Sequence, residues 1–470
     1  MVTANDVLKQ IEDMRVRWVD LQFVDLPGAL QHLSMPSHKL DLDSFDDGVG
    51  KLDGSSIAGF KAISDSDMLL LPAPETFAVI PWEKDTARMF CDIREGYDGP
   101  RFTRDSRFIT QKAEDAIKNA GYGVAQFGPE LEFFVFDSVT FDGNMPARGQ
   151  GYTIDSREAA WNAYGQNYPI PFKGGYYPAP PQDTLQMLRA QVSEILEDIY
   201  GITVEAHHHE VATAGQCEID MTYAPVGKMA DNVVTYKYVV KNIASQNGVI
   251  ATFMPKPIYG DNASGMHVHQ SLWKDEKNAF FDPSDEYAEV SQTCRYYMGG
   301  LLSHARALSA LCSPTTNSYK RLMPGYEAPV YVAWSKGNRS AAIRIPIYKK
   351  GEEASKRIEY RPPDPSCNPY LAFAALVAAG LDGIKKKTDC GDPVDENIYH
   401  LDIMKRKELG IRELPGSLDE ALEELQSDSA FLKPIFTDDL LETYVELKTG
   451  ECKHNAMLPT PFEFKTYLNV

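Results

Sequence analysis

The sequence predicts an α+β fold made of two domains. At 470 residues, the chain is too long for one ordinary hydrophobic core. Residues 1–105 form a run of short segments that Gly, Pro and Asp interrupt, which is typical of a small sheet-rich domain. Residues 106–470 mix strand-like and helical patterns and predict a second, larger domain.

Hydrophobic periodicity predicts the elements in chain order. Helical spacing indicates helices at 5–14, 106–120 and 372–387, and another that follows Asp183 and ends at Tyr200. Strand-like patterns cover 18–24, 124–136, 203–210, 218–222, 249–255, 266–272, 341–347 and 357–361. Asp183 and Gln186 resemble a capping box. The polar segments 141–175 and 388–420 predict long loops or insertions.

Composition and charge narrow the class of protein. The net charge of −20 disfavours a nucleic-acid or anionic-membrane partner. Seven dispersed cysteines without a C-x-x-C pair indicate free thiols in a reducing compartment. The start of the chain lacks the apolar stretch of a signal peptide, and the longest apolar run, 371–381, is far short of the ~20 residues that span a bilayer. We therefore expect a cytoplasmic protein.

Cys217 is either a reactive thiol beside Glu218 or a small buried residue.

Charged and polar side chains alternate with apolar ones in several predicted strands. Because residues i and i+2 share a face of a strand, each such segment presents one polar face. The pairs are Glu130 with Glu132, His267 with His269, and Arg357 with Glu359 and Arg361. A solvated strand face explains any one of them, but three such faces favour a common site.

Glu210 and Glu218 add two further carboxylates to this set. Acids packed so closely would repel one another and protonate, unless bound cations neutralised them. Oxygen ligands with an occasional imidazole suit Mg²⁺ or Mn²⁺ better than zinc. The run 207–209 of three histidines could alternatively hold a softer metal, but strand alternation places His208 and its two neighbours on opposite faces.

Basic residues form a second group near the acidic one. They are Lys320, Arg321, Arg339, Arg344, Arg357 and Arg361. Arginines in this setting suit carboxylate and phosphate clamping, and surface ion pairing is the alternative. Two Gly-containing loops, 53–56 and 173–176, match no Walker loop and remain weak turn signals. Taken together, the residues predict a two-metal enzyme that acts on a phosphorylated substrate or a nucleotide.

A set of long, co-linear motifs then identifies a resemblance. They are DGSSIAGF at 53–60, FGPELEFFVFD at 127–137, KGGYYPAPPQD at 173–183, EAHHHEVATAGQCEID at 205–220, GMHVHQSLW at 265–273, NSYKRLMPGYEAP at 317–329, NRSAAIRIP at 338–346 and RIEYRPPDPSCNPYLAFAALVAAGLDGI at 357–384. With these motifs the chain resembles type I glutamine synthetase along nearly its whole length. The resemblance implies a β-grasp-like domain at 1–105 and a catalytic domain at 106–470, with a curved antiparallel sheet flanked by helices.

The resemblance also implies a reaction and its cofactors. Glutamate and ammonium would be joined with ATP and two or three Mg²⁺ (or Mn²⁺). The glutamate side chain would take the γ-phosphate to give γ-glutamyl phosphate, from which ammonia displaces phosphate. One metal would be held by Glu132, Glu210 and Glu218, and the other by Glu130, His267 and Glu359.

Further residues receive roles by resemblance. Glu205, His208, His269, Ser271 and Arg357 would contact the nucleotide, and His269, Arg339 and Arg344 the transferring phosphoryl group. Arg321, Arg361, Asn262 and Gly265 would bind glutamate. Glu327 would lie in a flap that closes over the intermediate. Asp53, with Ser56 and Tyr176, would form the ammonium site, where Asp53 takes a proton from ammonium.

The family's assembly implies that this Asp53 comes from a neighbouring subunit. The implied oligomer is a dodecamer of two stacked hexamers, with residues 458–470 reaching the opposite ring. A head-to-tail interface that closes into a ring is consistent with such sharing. Small nitrogen-regulatory proteins remain a candidate class of partner.

Three residues depart from the family pattern. Ala263 stands where a glycine is common, and it would strain the glutamate loop if the position needs a positive φ. Ala62 stands where the feedback-inhibited branch has an arginine, so we do not expect glutamine to inhibit through that residue. Tyr399 falls near a tyrosine that is adenylylated in another branch, but its context ENIYHLD differs, and we interpret it as an exposed loop residue.

Two rival functions remain at this point. A relative that ligates glutamate to a polyamine or another amine would keep the metal and ATP residues but tend to change the ammonium site. Asp53, Ser56, Tyr176 and Glu327 are all present, which favours ammonia. A catalytically dead scaffold would be expected to lose metal ligands, and every predicted metal position is filled.

Overall fold

A computed structural model describes residues 2–96, 99–163, 168–324, 328–433 and 435–470 of the chain. The predicted flap residue Glu327 lies outside the described residues. Within them, the helices are α1 (Ala4–Asp13), α2 (Leu42–Asp46), α3 (Ser106–Asn119), α4 (Gln186–Asp198), α5 (Val226–Gln246), α6 (Gln292–Ser303), α7 (Ala305–Cys312), α8 (Ser318–Arg321), α9 (Pro369–Lys386), α10 (Ile403–Glu408), α11 (Leu418–Ser427), α12 (Asp438–Ala456) and α13 (Pro461–Tyr467). None of these helices is both long and apolar enough to cross a membrane.

The strands belong to two main sheets and one separate hairpin. They are β1 (Trp18–Val24), β2 (Leu30–Pro36), β3 (Val49–Asp53), β4 (Asp67–Pro72), β5 (Ala78–Val79), β6 (Thr86–Arg94), β7 (Val124–Phe136), β8 (Ser138–Asp142), β9 (Gly151–Asp155), β10 (Val204–His209), β11 (Gln216–Met221), β12 (Ala224–Pro225), β13 (Ile250–Thr252), β14 (Met266–Lys274), β15 (Lys277–Asn278), β16 (Tyr331–Lys336), β17 (Ala341–Ile345), β18 (Ile358–Tyr360) and β19 (Arg412–Glu413). The hairpin is β8 with β9.

The N-terminal sheet has the order β2-β1-β6-β4-β3, with β5 paired to β6. Its β1–β6 pair is parallel, and β2, β3, β4 and β5 pair antiparallel. Apolar side chains such as Val19, Leu21 and Met89 form a core of their own beneath α1. This sheet and its core agree with the small sheet-rich domain that the sequence patterns predict and with the β-grasp-like fold that the resemblance implies.

The large sheet has the order β10-β11-β7-β14-β18-β17-β16-β19. Its pairs are antiparallel except for the parallel pair β16–β17. On β7, the odd residues Leu131 and Phe133 are fully buried in the main core, so Glu130 and Glu132 face the other side of the sheet. The large domain, with its sheet and packed helices, confirms the predicted α+β class.

Helix α9 is the central helix behind the large sheet. Every residue from Pro369 to Gly380 is buried, which is the pattern of a helix covered on all sides. Pro369 occupies the first turn, and the Asn368 side chain caps the helix by accepting a hydrogen bond from the Tyr370 amide. The helix therefore begins three residues before the predicted 372.

Other predicted elements agree with the structure to different degrees. The predicted strands 18–24 and 124–136 have the bounds of β1 and β7. The capping box before α4 was wrong: α4 has no side-chain cap, because the Asp183 carboxylate pairs with the buried Arg189 guanidinium at 2.5 Å. Residues 141–175, which were predicted as a long loop or insertion, contain β9, and the long helix α5 was not predicted.

The two domains are joined by a network around Arg107, at the start of α3. Its guanidinium makes two hydrogen bonds of 3.1 Å to Asp231 on α5, and one of 2.7 Å to Asp92 on β6. The Tyr370 hydroxyl donates to the same Asp231 carboxylate at 2.7 Å. One arginine therefore ties the N-terminal sheet to two helices of the catalytic domain.

The substitution Arg107→Ala tests this junction. We expect it to lower the free energy of unfolding by about 3–5 kcal/mol, because it leaves the buried Asp231 carboxylate without its cation, whereas Asp92 keeps its ion pair with Arg101. Urea denaturation followed by circular dichroism measures the change. The matched control is Arg157→Ala, which removes a solvent-exposed pair with Asp137 and should cost about 0–1 kcal/mol. Equal midpoints for the two variants would contradict the role given to Arg107.

Candidate active site

Most of the predicted site residues line one cavity, of about 460 Å³, on the polar face of the large sheet. The predicted residues in its wall are Glu130, Glu132, Tyr176, His208, Glu210, Glu218, Asn262, Gly265, His267, Arg321, Arg339, Arg344, Glu359 and Arg361. The described residues Asp53, Ser56, Glu205, His269, Ser271 and Arg357 lie outside this wall. The structure thus brings together residues that are more than 200 positions apart in the sequence.

Strand register explains this convergence. Glu132 on β7 is directly opposite Glu218 on β11, and Glu130 on β7 is directly opposite His267 on β14. On the next pair, His269 of β14 is opposite Glu359 of β18. Directly opposed residues of antiparallel strands point to the same face of the sheet. The polar residues at i and i+2 of each strand therefore lie next to those of the neighbouring strands, on one common face.

The first group of donors is Glu130, His267 and Glu359. Their ligand atoms lie within 4.8 Å of one another, which is compact enough for one cation. His267 Nδ1 lies 3.2 Å from Glu130 Oε2 and 3.6 Å from Glu359 Oε1. Burial, helped by the nearby Arg361 charge, lowers the pKa of His267 to about 4. The imidazole is therefore neutral at pH 7, as a metal ligand must be.

The second group of donors is His208, Glu210 and Glu218, again within 4.8 Å. His208 lies 3.5 Å from each carboxylate, with Nδ1 toward Glu210 and Nε2 toward Glu218. The resemblance implied Glu132 for this metal and assigned His208 to the nucleotide. Glu132 lies in the same wall, where its Oε2 accepts hydrogen bonds from the Gln216 side chain and the Gly265 amide.

The acids of the two groups differ in their electrostatic state. Burial, reinforced by neighbouring carboxylates, raises the pKa of Glu132 and of Glu218 well above the usual range. Burial opposes ionisation of Glu130 and Glu359 as well, but His269 and Arg361 respectively hold their pKa values below the usual range. A bound cation would relieve this repulsion and favour the ionised carboxylates. The donor set of carboxylates and imidazoles fits Mg²⁺ or Mn²⁺.

Arginines also line the cavity. Arg361 donates to Glu359 Oε1 at 2.5 Å, and Arg344 pairs with Glu359 Oε2. Arg321 is buried and donates to the carbonyl oxygens of Pro362, at 2.7 Å, and Arg361. These arginines are thus held rigidly, as bidentate recognition of carboxylate or phosphate requires.

Gly265 leaves room for a ligand beside these arginines. A Cβ atom at this position would lie 2.8 Å from Arg321 Nη2 and 3.0 Å from His267 Nε2. Only glycine therefore keeps the space between the predicted glutamate-binding arginine and the predicted metal ligand open.

The predicted nucleotide residues border the cavity. Arg357 Nε donates to His269 Nδ1 at 3.1 Å, so the His269 proton is on Nε2, which lies 2.8 Å from Glu130 Oε1. The Ser271 hydroxyl accepts a hydrogen bond from the Trp273 indole, and Glu205 is exposed. A smaller cavity of about 310 Å³ adjoins β14 and is lined by Tyr223 and Trp273 among others.

The three consecutive histidines have separate surroundings. His209 is buried, with Nε2 3.1 Å from Glu158 and Nδ1 2.8 Å from the Gly175 carbonyl. His207 lies by Arg189, with Nδ1 3.4 Å from its Nε. His208 alone faces the second donor group. The alternative of a three-histidine metal site was therefore wrong, and strand alternation is the reason.

Asp220 and Gln216 are among the wall residues that the sequence analysis did not single out. Asp220 shares a strand face with Glu218 two residues earlier, and the same i, i+2 rule could have found it. Burial and the Glu130 charge raise the pKa of Asp220 to about 7. Gln216 carries no charge, so no pattern of charges could have pointed to it.

The predicted ammonium residue Asp53 ends strand β3 of the small domain and is exposed. Its Oδ1 accepts from the Ser55 amide and hydroxyl at 2.9 and 2.7 Å, and its Oδ2 from the Ser56 hydroxyl at 3.1 Å. These hydrogen bonds with Ser55 lower the pKa of Asp53. Tyr176, by contrast, lies in the cavity wall and stacks on Tyr177, with ring centroids 4.0 Å apart.

The structure shows the surroundings of the three residues that depart from the family pattern, Ala263, Ala62 and Tyr399. Ala263 is not among the described residues with positive φ, so the condition under which it would strain its loop is not met. Ala62 is exposed. Tyr399 is half-buried, and its hydroxyl donates to the Ala328 carbonyl at 2.5 Å, so the interpretation as an exposed tyrosine was wrong.

Cys217 is buried, which raises its pKa to about 12 and makes it an unreactive core thiol.

Comparisons with known proteins cover the whole chain. The family model for the glutamine synthetase β-grasp domain matches residues 15–96, and that for the glutamine synthetase catalytic domain matches residues 103–467. A glutamine synthetase of Sulfolobus acidocaldarius is 57% identical over 466 residues, or 99% of this chain and 98% of the relative. A glutamine synthetase of Escherichia coli K12 is 45% identical over 100% of both chains.

Solved structures share the fold as well. A Plasmodium falciparum glutamine synthetase, determined by cryo-electron microscopy, has a TM-score of 0.89 at 28% identity and 99% coverage of both chains. A chain described as GmaS in complex with ADP has a TM-score of 0.82 at 26% identity, with 99% of this chain and 100% of that chain covered. Since sequence relatives, both domain models and whole-chain structures agree, the chain belongs to the glutamine synthetase family of glutamate–ammonia ligases.

Proposed function

We propose that the chain makes glutamine from glutamate, ammonia and ATP through γ-glutamyl phosphate, at a two-metal site that two subunits complete. The observation that carries this proposal is the convergence of two compact donor groups and three fixed arginines on one cavity. The GmaS relative was described with ADP, which supports a nucleotide as the phosphoryl source for this fold.

The acidic residues and imidazoles of the cavity would bind metal ions, and the arginines would bind the anionic substrates. Bound Mg²⁺ or Mn²⁺ would supply neutralisation of phosphate and carboxylate oxygens. Glu130, His267 and Glu359 would hold the ion on the nucleotide side, and Glu132, Glu210 and Glu218 the ion on the glutamate side. His208, within reach of Glu210 and Glu218, would join that second set. A third ion remains part of the proposal.

The arginines would orient the anionic substrates. Arg321 and Arg361 would bind glutamate together with Asn262 and Gly265. Arg339 and Arg344, with His269, would hold the transferring phosphoryl group, and their positive charge would stabilise the charge that develops on its oxygens. On the nucleotide side, Glu205 and Ser271 would act with Arg357, which donates a hydrogen bond to His269. Glu327 would help to exclude water from the acyl phosphate.

The ammonium site would be completed by a second subunit. Asp53 and Ser56 are exposed at the end of β3 and absent from the cavity wall of their own chain, among the described residues. An Asp53 from a neighbouring subunit, beside Tyr176, would bind ammonium and take its proton. Repeating this head-to-tail contact would close a ring, and two stacked hexamers would give the dodecamer.

We also propose a domain boundary at residue 105, immediately before α3, and a cytoplasmic location, which the buried free cysteines support. Small nitrogen-regulatory proteins remain proposed partners. The rival reaction, ligation of a polyamine or another amine, is not favoured, because Asp53, Ser56 and Tyr176 are all retained.

Phosphate release from ATP tests the reaction directly. We expect release with glutamate and Mg²⁺ to depend on ammonium and to be matched by glutamine, because the retained site residues suit ammonia. The assay is run with ammonium, with a polyamine and with neither. Release that requires the polyamine would move the protein to the rival class, and no release under any condition would contradict the proposal.

The substitution Glu218→Gln tests the second donor group. Since Glu218 would be a metal ligand, its loss should reduce kcat/KM by about 100-fold or more, and excess Mn²⁺ should restore part of it. The metal-free variant should melt no lower than the wild type, because it relieves repulsion among buried acids. Glu446→Gln, an exposed change on α12, is the control. Full activity of Glu218→Gln would exclude this ligand role.

Mixed oligomers test the shared site. We expect Asp53→Ala and Glu218→Gln subunits each to be inactive alone, with Asp53→Ala still binding ATP. After random mixing, about a quarter of the sites would pair two intact halves, so activity should return to about that fraction. The measurement is glutamine formation after joint refolding or coexpression. If no activity returns although mixed oligomers form, Asp53 serves its own chain and the sharing is wrong.

A further inference from the structure

Gln216, at the start of β11, is a buried residue whose side chain hydrogen-bonds to three other segments of the chain, at Ala212, Glu132 and Ala263. It is 1% exposed and lies in the wall beside Glu132 and Ala263. The charge pattern of the sequence does not reveal it, and the proposed mechanism has so far given it no role.

The hydrogen bonds of its amide define the amide's orientation. Gln216 Oε1 accepts from the Ala212 backbone amide at 2.9 Å, and a backbone amide can only donate. The nitrogen therefore faces the other way, where it donates to Glu132 Oε2 at 2.8 Å and to the Ala263 carbonyl at 3.1 Å. Both amide protons and the oxygen are thus used, and a flipped amide would lose all three bonds.

These bonds determine how Glu132 presents its carboxylate. Oε2 receives two donors, Gln216 Nε2 and the Gly265 amide at 3.1 Å. The other oxygen, Oε1, is then the one left to meet a cation. A carboxylate held in this way loses little rotamer freedom when a metal binds.

The backbone of Gln216 is also connected to two members of the second donor group, Glu210 and Glu218. Its backbone carbonyl accepts from the Glu210 amide at 2.8 Å, and Glu218 follows two residues later on the same strand face. Through Ala263 and Gly265, Glu132 and Gln216 are joined to the loop that would bind glutamate. One side chain therefore links the metal ligands to the substrate loop.

We propose that Gln216 is a positioning residue, which orients Glu132 toward the cation of the second donor group and holds the 262–265 loop in register with it. This inference rests on the proposed metal-dependent function. It concerns a residue that touches neither the substrate nor the cation, and it acts through the Glu132 carboxylate and the Ala263 carbonyl.

The test is Mn²⁺ binding to the full-length protein without substrates, followed by electron paramagnetic resonance. We expect Gln216→Met, which keeps the side-chain length but removes both donors and the acceptor, to weaken one class of Mn²⁺ site by about 10–100-fold. In the assay, the KM for glutamate should rise together with a fall in kcat. The matched control is Gln270→Met, a buried glutamine of β14 that accepts from the Tyr297 hydroxyl; it should bind Mn²⁺ like the wild type.

A second variant covers the case in which Gln216→Met does not fold. Gln216→Asn keeps an amide but is one methylene shorter, so it cannot reach Ala212, Glu132 and Ala263 together, and it should show the same loss of Mn²⁺ affinity. Wild-type Mn²⁺ binding by a folded Gln216 variant overturns the proposal, as does a wild-type protein that binds no Mn²⁺. A wild type that binds Mn²⁺ but makes no glutamine refutes the proposed function and leaves the positioning role to be judged by the binding data alone.

Discussion

The structure depends on placing several carboxylates close together, out of water, on one face of the large sheet. An isolated buried carboxylate costs several kcal/mol, and like charges nearby add to that cost. The two donor groups meet this cost differently. Glu359 is paired with Arg344 and Arg361, whereas Glu218 is surrounded mainly by other acids. The Glu218 side of the cavity therefore has the greater need for a cation, and it is also where His208 and Glu132 converge.

The register of the sheet converts a simple sequence pattern into this arrangement. A one-residue slip of β11 against β7 would turn Glu218 away from Glu132 and bury it in the main core. Leu131 on β7 and Ile219 on β11 oppose such a slip, because both are buried on the opposite face. The apolar core behind the sheet and the acidic site before it are thus two consequences of one alternation.

This dependence explains how much could be predicted. The alternation of Glu130 with Leu131 is local, so the sequence alone placed the acids on one strand face and predicted a cation site. Which strands are neighbours is not local: β18 lies between β14 and β17, although more than 80 residues separate it from β14. The role implied for His208 came from resemblance and omitted its closeness to Glu210. Gln216 has no charge and could be found only from its hydrogen bonds.

The helices were harder to predict for a related reason. On α5 and α9 apolar residues occur on nearly all sides, because both helices are covered by the sheet and by other helices. Such a helix has little amphipathic periodicity, and α5 was missed although it is the longest helix of the described residues. Helix α9 was predicted at 372–387, and its run of alanines and leucines has high helical propensity.

Asp53 shows why the site would need a second chain. In the subunit its carboxylate is exposed and well ordered by Ser55 and Ser56, and these hydrogen bonds lower its pKa. A carboxylate with a low pKa binds ammonium well but is a weak base for removing its proton. Contact with a neighbouring subunit would displace water from Asp53, and desolvation raises the pKa of a carboxylate. Assembly would then do more than bring Asp53 to the cavity, since it would also strengthen the base that prepares ammonia for attack.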